Sequence, residues 1–359
     1  MMKKREDIVS LSRRDYLHTM TAALGSTVLA GFPAFGQSKF TATAGQPTPS
    51  ANYAPQYVAV ANKYMAEEGL DLKLLTTASG EKLREVLGAG QIKFALGDST
   101  HPILLTNRGR PAKILLTIDD RSALCNIVMR KDLYDKGIDS IEKLAQWKRP
   151  DGSKPIVAVA SLGGGQHVYL SYICERLGIA DNFVWLAGGG VRTMMGGLST
   201  SKFDAIAALP NWVIEAETQG WGKSVFDVSD TNSWKKYVGG PVPSTVAFAL
   251  QTTIDREPEM VQAYVNGMYQ ALKWMKTASN KQVYDAIGSE YLNAFTPEVA
   301  QKELAYYRGL TNYDGVVDEQ QFKNAAPIWF RDLTELKPLT YVDAVSTRFI
   351  NEAIRKYGR

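Results

Sequence analysis

Four turns in this sequence gather glycine, amide, hydroxyl and charged residues, types that can present hydrogen-bond donors and charge to a small molecule. The most pronounced is Ser161-Leu162-Gly163-Gly164-Gly165-Gln166-His167. Three glycines let the main chain approach a ligand closely, and the helix that follows offers unpaired N–H groups and the positive end of its dipole. Gln166 and His167 add donors at the same place. The same glycines would also serve a loop that needs positive φ only to pack sheet against helix. They do not form a dinucleotide fingerprint, because the spacing is wrong and no acidic partner follows at the right distance.

In the second turn, Gly97-Asp98-Ser99-Thr100-His101-Pro102, either Asp98 or Ser99 can cap the next helix. A carboxylate at Asp98 that faced a cleft would repel an anion and accept an amine or amide N–H. In the third, Leu186-Ala187-Gly188-Gly189-Gly190-Val191-Arg192, the guanidinium of Arg192 could pair with a carboxylate or sulfonate, or lie solvated on the surface. The fourth, Leu209-Pro210-Asn211-Trp212, offers Trp212 as a stacking wall and Asn211 as an orienting amide, or as core and cap residues. Asn52 and Tyr53, ahead of the first helix, complete the candidate rim.

Catalytic inventories are thin. Past residue 36 the only histidines are His101 and His167, and there is no Gly-x-Ser-x-Gly elbow or phosphate-binding Gly-Lys-Ser/Thr. No Cys/His spacing suits zinc, and carboxylate pairs such as Asp119-Asp120 sit in ordinary charged turns. The expectation is a binding site, with no cofactor and no metal.

The elements that must position these turns alternate. A helix is expected over 55–68, with Pro55 near its start and Gly69 past its end. Leu70, Leu72 and Leu74 read as a strand, then a helix over 81–88, a strand around Ile92-Phe94-Leu96, a helix over 100–108 and a strand over 113–118. A second series runs from the helix 140–146 to the strand 224–228 and closes in Gly239-Gly240-Pro241-Val242-Pro243. From Pro258 the chain reads as helical, with starts at Thr296-Pro297-Glu298 and Asp343. Strands separated by helices of about ten residues imply an α/β fold of parallel strands with helices covering the sheets. The chain is expected to leave a first lobe near 125–129, build a second, and return near 243–248. That gives lobe I over 37–127 and 245–359, lobe II over 128–244, and two crossing strands as a hinge.

The N-terminus reads as an export tag: Lys3, Lys4 and Arg5, the pair Arg13-Arg14, a mildly apolar run over 19–35 and a small-residue exit at Ala34-Phe35-Gly36. Thr19, Thr21, Gly25, Ser26 and Thr27 make that run too polar for the roughly 20 apolar residues of a membrane helix. Residues 1–36 therefore read as a signal peptide of the twin-arginine type, though Tyr16 and His18 leave the ordinary secretory route open. The product would be free in a bacterial periplasm. The rest of the 359 residues is long enough for two domains. A formal charge of +4, part of it in the tag, gives no basic cluster for nucleic acid. Cys125 and Cys174 lie in apolar segments where buried free thiols are the commoner case, although an oxidising compartment would permit a bridge.

The segments from about 39 to 274 resemble the periplasmic substrate-binding proteins of ABC importers, in the nitrate, sulfonate, taurine and thiamine-pyrimidine-precursor group. The resemblance rests on Ala54-Pro55-Gln56-Tyr57-Val58-Ala59, Glu68-Gly69-Leu70-Asp71, Gly90-Gln91-Ile92-Lys93-Phe94-Ala95, the triple-glycine turn, Lys202-Phe203-Asp204-Ala205 and Pro258-Glu259-Met260-Val261-Gln262, in that order. Tyr64-Met65 and Ser201 depart from the group's usual pattern. The resemblance implies a two-lobed, hinge-closing fold, type II-like, that works as a monomer and hands a small polar solute to a membrane permease. It also implies ligand contacts from Asn52-Tyr53, Ser99-Thr100, Gly164 to His167, the Gly189 turn and Asn211-Trp212. The solute class stays open: an oxyanion would use the glycine turn and Arg192, a nitrogen heterocycle or amide Asp98 and the aromatic residues. A pyrimidine-biosynthesis enzyme sharing the fold, and a periplasmic ligand sensor, are the competing readings.

Overall fold

Ten strands build two five-stranded sheets of the same plan. In this computed structural model, which describes residues 38–293, 296–331 and 336–359, the first sheet has β1 (Phe40–Gln46), β2 (Leu70–Thr76), β3 (Phe94–Asp98), β4 (Ala112–Thr117) and β10 (Thr245–Leu250). Its order is β2-β1-β3-β10-β4. The second holds β5 (Asn126–Arg130), β6 (Ile156–Val159), β7 (Val184–Ala187), β8 (Ala205–Ala208) and β9 (Gly222–Phe226), in the order β7-β6-β8-β5-β9. The export tag lies outside the described residues.

Parallel pairing holds for β1 with β2 and β3, and for β6 with β7 and β8. Each sheet also contains one reversed strand, so both are mixed. β10 runs antiparallel to β3 and β4, and β5 antiparallel to β8 and β9. These are the two strands that arrive from the other sheet, and a chain entering from the facing side runs against the local direction. All six residues of β10 and the first four of β5 are buried, as expected of inner strands covered by helices on both faces. The protein is thus an α/β chain in a two-domain arrangement.

The crossings are tied to each other at Asp119. Its buried carboxylate accepts hydrogen bonds from the Ser244 and Thr245 N–H groups at 2.7 and 2.9 Å, and burial pushes its pKa up to about 7. Arg121 adds a second tie, donating from Nη1 to the carbonyls of Val228 and Ser229 and from Nη2 to that of Gly309. Both cysteines are buried free thiols.

Two sequence expectations change. The helix expected over 55–68 breaks into Ala54–Ala61 and Tyr64–Glu67, because Lys63 takes a left-handed conformation (φ 64°) that stops the first helix. Both pieces pack on the long helix Pro258–Thr277. Asp343 does not open a helix: Thr340 caps the short Tyr341–Ala344 helix, and Asp343 sits in its first turn. Thr296 caps Pro297–Arg308 as expected, accepting from the Val299 N–H.

Candidate functional site

A cavity of about 660 Å³ lies where strand ends of the two sheets face each other. The first sheet contributes Thr48 after β1, Ser79 and Arg84 beyond β2, Asp98 and Thr100 at the end of β3, and Ser244 and Thr245 at the start of β10. β10 reaches this edge with its first residues because it runs backwards. The second sheet contributes the loop from Ala160 to Gly165 after β6. Ligand sites of open α/β sheets lie beyond strand carboxyl ends, and this cavity follows that rule.

The loop leads into the helix Gly165–Arg176, whose N-cap is Gly164 with no side-chain cap. The first N–H groups of a helix have no intrahelical acceptor, so this end offers donors and a positive potential. Gly163 holds φ at +75°, a conformation costly for other residues.

Close against this helix start stands Asp98. Its Oδ1 accepts from the N–H of Thr100 at 2.8 Å and from the Thr100 hydroxyl at 2.5 Å. Its Oδ2 is buried and has no hydrogen-bond partner among the described residues. Burial drives the neighbouring His101 imidazole down to about 4, against the opposing pull of Asp98, so it is neutral at pH 7. Burial also lowers the pKa of Arg84, whose charge partly balances the carboxylate side of the cavity. Asn52 donates from its side-chain amide to the Thr245 hydroxyl at 3.1 Å, which fixes its orientation at the wall. Tyr53 is 8% exposed, and burial raises its phenol well above the ordinary range.

Asn52, Tyr53, Asp98, Thr100, Gly164 and Gly165 therefore meet in one cavity. The other candidates do not line it. Ser99 is fully buried and donates its N–H to the Ser244 carbonyl. Gln166 turns inward, where its amide accepts from the Ala160 N–H and donates to the Ala207 carbonyl, pinning β6 beside β8. His167 lies on the outer side of the loop, beside Trp185, and its Nδ1 accepts from the Gly163 N–H. Trp212 packs in a small core with Met194 and Phe203, and the Asn211 side chain accepts from the Trp212 N–H. Gly189 and Arg192 are exposed beyond β7, the edge strand of its sheet and so the strand farthest from the crossings on that side.

Thr48, Ser79, Arg84, Ser244 and Thr245 line the cavity although sequence reasoning did not select them. Ser79 carried a usable signal, since it caps a helix directly after a strand and accepts from the Lys82 N–H. Ser244 and Thr245 carried none, because their place depends on the reversal of β10.

Two mixed sheets, with helices on both faces and a cavity at their facing edges, make the architecture of periplasmic binding proteins. A sequence profile of the NMT1-like family matches residues 48–287, and the chain belongs to that family. It is 23% identical over 288 residues to YtlA of Bacillus subtilis, provisionally named a binding protein, covering 77% of this chain and 78% of that one. Its fold is similar to a protein of Methylobacillus flagellatus provisionally described as a periplasmic sulfonate-binding protein of an ABC transporter (TM-score 0.68, 15% identity, 89% of this chain and 95% of the other). It is similar also to the periplasmic nitrate-binding protein of Synechocystis (TM-score 0.66, 15% identity, 89% of each chain). A desulfurization enzyme shares the fold as well (TM-score 0.60, 12% identity, 89% of this chain and 100% of the other). No helix among the described residues is long and apolar enough to cross a membrane, and none of their His, Cys, Asp and Glu side chains cluster to hold a metal.

Proposed function

We propose that this protein is the solute-binding component of an ABC-type importer, exported to the periplasm, that traps a small polar solute between two lobes and presents it to a membrane permease. The lobes are 37–127 with 245–359, and 128–244, each built on one sheet and joined by the two crossings. The observation that carries this reading is a cavity bordered by both sheets where Asp98, whose Oδ2 has no partner among the described residues, meets the uncapped start of the Gly165–Arg176 helix. A solute that touches both has differential contacts with the closed state, which is what a hinge needs to shift its population.

Within that reading, Asp98 favours a solute with a protonated amine or other N–H donor, and the helix start takes an acceptor oxygen of the same molecule. Asn52, Tyr53, Thr100, Gly164 and Gly165 complete the contacts. A bare oxyanion would face the Asp98 carboxylate, offset only in part by Arg84 and the helix start. Catalysis is disfavoured because both thiols are buried, burial raises the pKa of each, and burial suppresses proton uptake at His101.

Native mass spectrometry of protein purified without refolding tests the reading, followed by small-angle scattering with the molecule found. A retained small solute and contraction on re-addition are expected. Turnover of that solute, or tight binding with no contraction, would count against it. Capture of a sensor kinase instead of a permease would favour the sensor alternative.

A further inference from the structure

A smaller chamber of about 220 Å³ lies beside the cavity, and Thr100, Leu104, Gly163 and Gly165 line both. Its remaining lining is Val168 from the Gly165–Arg176 helix, Ile328 and Trp329 from the helix Glu319–Trp329, and Leu336. It is thus mostly apolar and lies next to a polar site. Trp329 is 2% exposed and is set by an edge-on contact with Phe322, yet its buried indole N–H has no acceptor among the described residues. A buried donor without a partner costs about 1–3 kcal/mol, so the position gains when an acceptor arrives.

We propose that this chamber is a subsite for a ring substituent on the solute, specifically an aromatic or heteroaromatic ring carrying one acceptor atom for the Trp329 indole N–H. The inference rests on the cavity being the solute site. An apolar cavity of roughly 150 Å³ holds a benzene molecule, so a chamber of this size admits a six-membered ring with a small substituent. Thr100 and Gly165 border both spaces, so one molecule can place its polar head beside Asp98 and its ring in the chamber. The chain then selects solutes by two separate features: a donor head that the carboxylate takes, and a flat tail that the apolar walls and the indole accept.

The test uses methylamine, benzylamine and the three aminomethylpyridines, with methanesulfonate and benzenesulfonate as a matched anionic pair, in calorimetric titrations of the full mature chain. Benzylamine is expected to bind at least tenfold more tightly than methylamine, and one pyridyl isomer several-fold more tightly again. Trp329→Phe, which keeps an aromatic wall, removes the donor and widens the chamber slightly, should abolish the pyridyl advantage and spare the ring advantage. Val168→Phe, which fills the chamber, should abolish both and leave methylamine binding intact, with thermal unfolding confirming the fold of each variant. Equal affinity for methylamine and benzylamine, or a ring advantage that survives Val168→Phe, overturns the subsite and leaves the cavity standing. A ring advantage seen only with the sulfonates keeps the chamber and refutes the donor head. Absence of binding by both series, with a retained solute found at another place, refutes the cavity and the chamber together.

Discussion

The carboxylate of Asp98 and the backbone of Gly165 are in near contact across the two sheets: a Cβ at residue 165 would lie 3.1 Å from Asp98 Oδ2 and 3.2 Å from Leu124 Cδ1. Glycine is needed there for approach, since no positive φ is involved. Gly165→Ala should fold normally, with stability within about 1 kcal/mol of the parent, but hold the lobes slightly apart. Overpacking of this kind costs about 1–3 kcal/mol, so solute affinity should fall roughly tenfold. Titration calorimetry with the retained solute checks this, and an unchanged affinity refutes the contact.

Asp98→Asn keeps an oxygen for the Thr100 N–H and removes the charge. Hydrogen bonds to charged groups are worth about 1.5–3 kcal/mol, which corresponds to a loss of roughly 10-fold to 100-fold in affinity for an amine-bearing solute. A bare sulfonate or carboxylate should gain. If the variant instead binds the native solute more tightly, the solute is an anion.

Asp204 gives a physical reason for one piece of the family pattern. It is fully buried and faces Arg130 at 3.1 Å and Arg149 at 2.9 Å, while accepting the Ile156 N–H at 2.8 Å. Asp204→Ala leaves the Arg149 guanidinium and the Ile156 N–H without their carboxylate, while Arg130 keeps its pair with Asp132. Breaking a buried pair costs about 3–5 kcal/mol, to be read as a lowered urea midpoint. A change below about 1 kcal/mol would show that the arginines find water.

Burial of Glu303, 2% exposed, pushes its carboxyl up to about 7, against hydrogen bonds from the Ala51 N–H and the Ser50 hydroxyl. The folded state therefore holds this proton more tightly than the unfolded state. Its contribution to stability is full below about pH 4.5 and is lost as pH rises through 7. Glu303→Gln should match the parent near pH 4.5 and exceed it at pH 8 by on the order of 1–3 kcal/mol. Unfolding midpoints at both pH values check the sign; equal differences at both would refute it.

Much of the framework was legible because it depends on local periodicity. The alternation of apolar strands and helices placed β2, β3, β4 and β9 within a few residues. The broken first helix was not legible, since no glycine or proline marks Lys63 and the break is set against the Pro258–Thr277 helix.

The site divides the same way. Which turns are rich in glycine, amide and carboxylate is written in the residues. Which turns meet is fixed by strand order and by the direction in which each side chain leaves its helix. Gln166 and His167 follow Gly165 directly, yet one points into the sheet and the other to the outer face, because successive helical residues are rotated by about 100°. The same three-dimensional order leaves Gly189 and Arg192 at an edge, turns Trp212 into a core, and carries Ser244 and Thr245 to the cavity on a reversed strand. Sequence alone determined the chemistry available; the tertiary structure decided which of it converges, because convergence depends on contacts between residues far apart in the chain, 67 positions for Asp98 and Gly165 and 193 for Asn52 and Thr245.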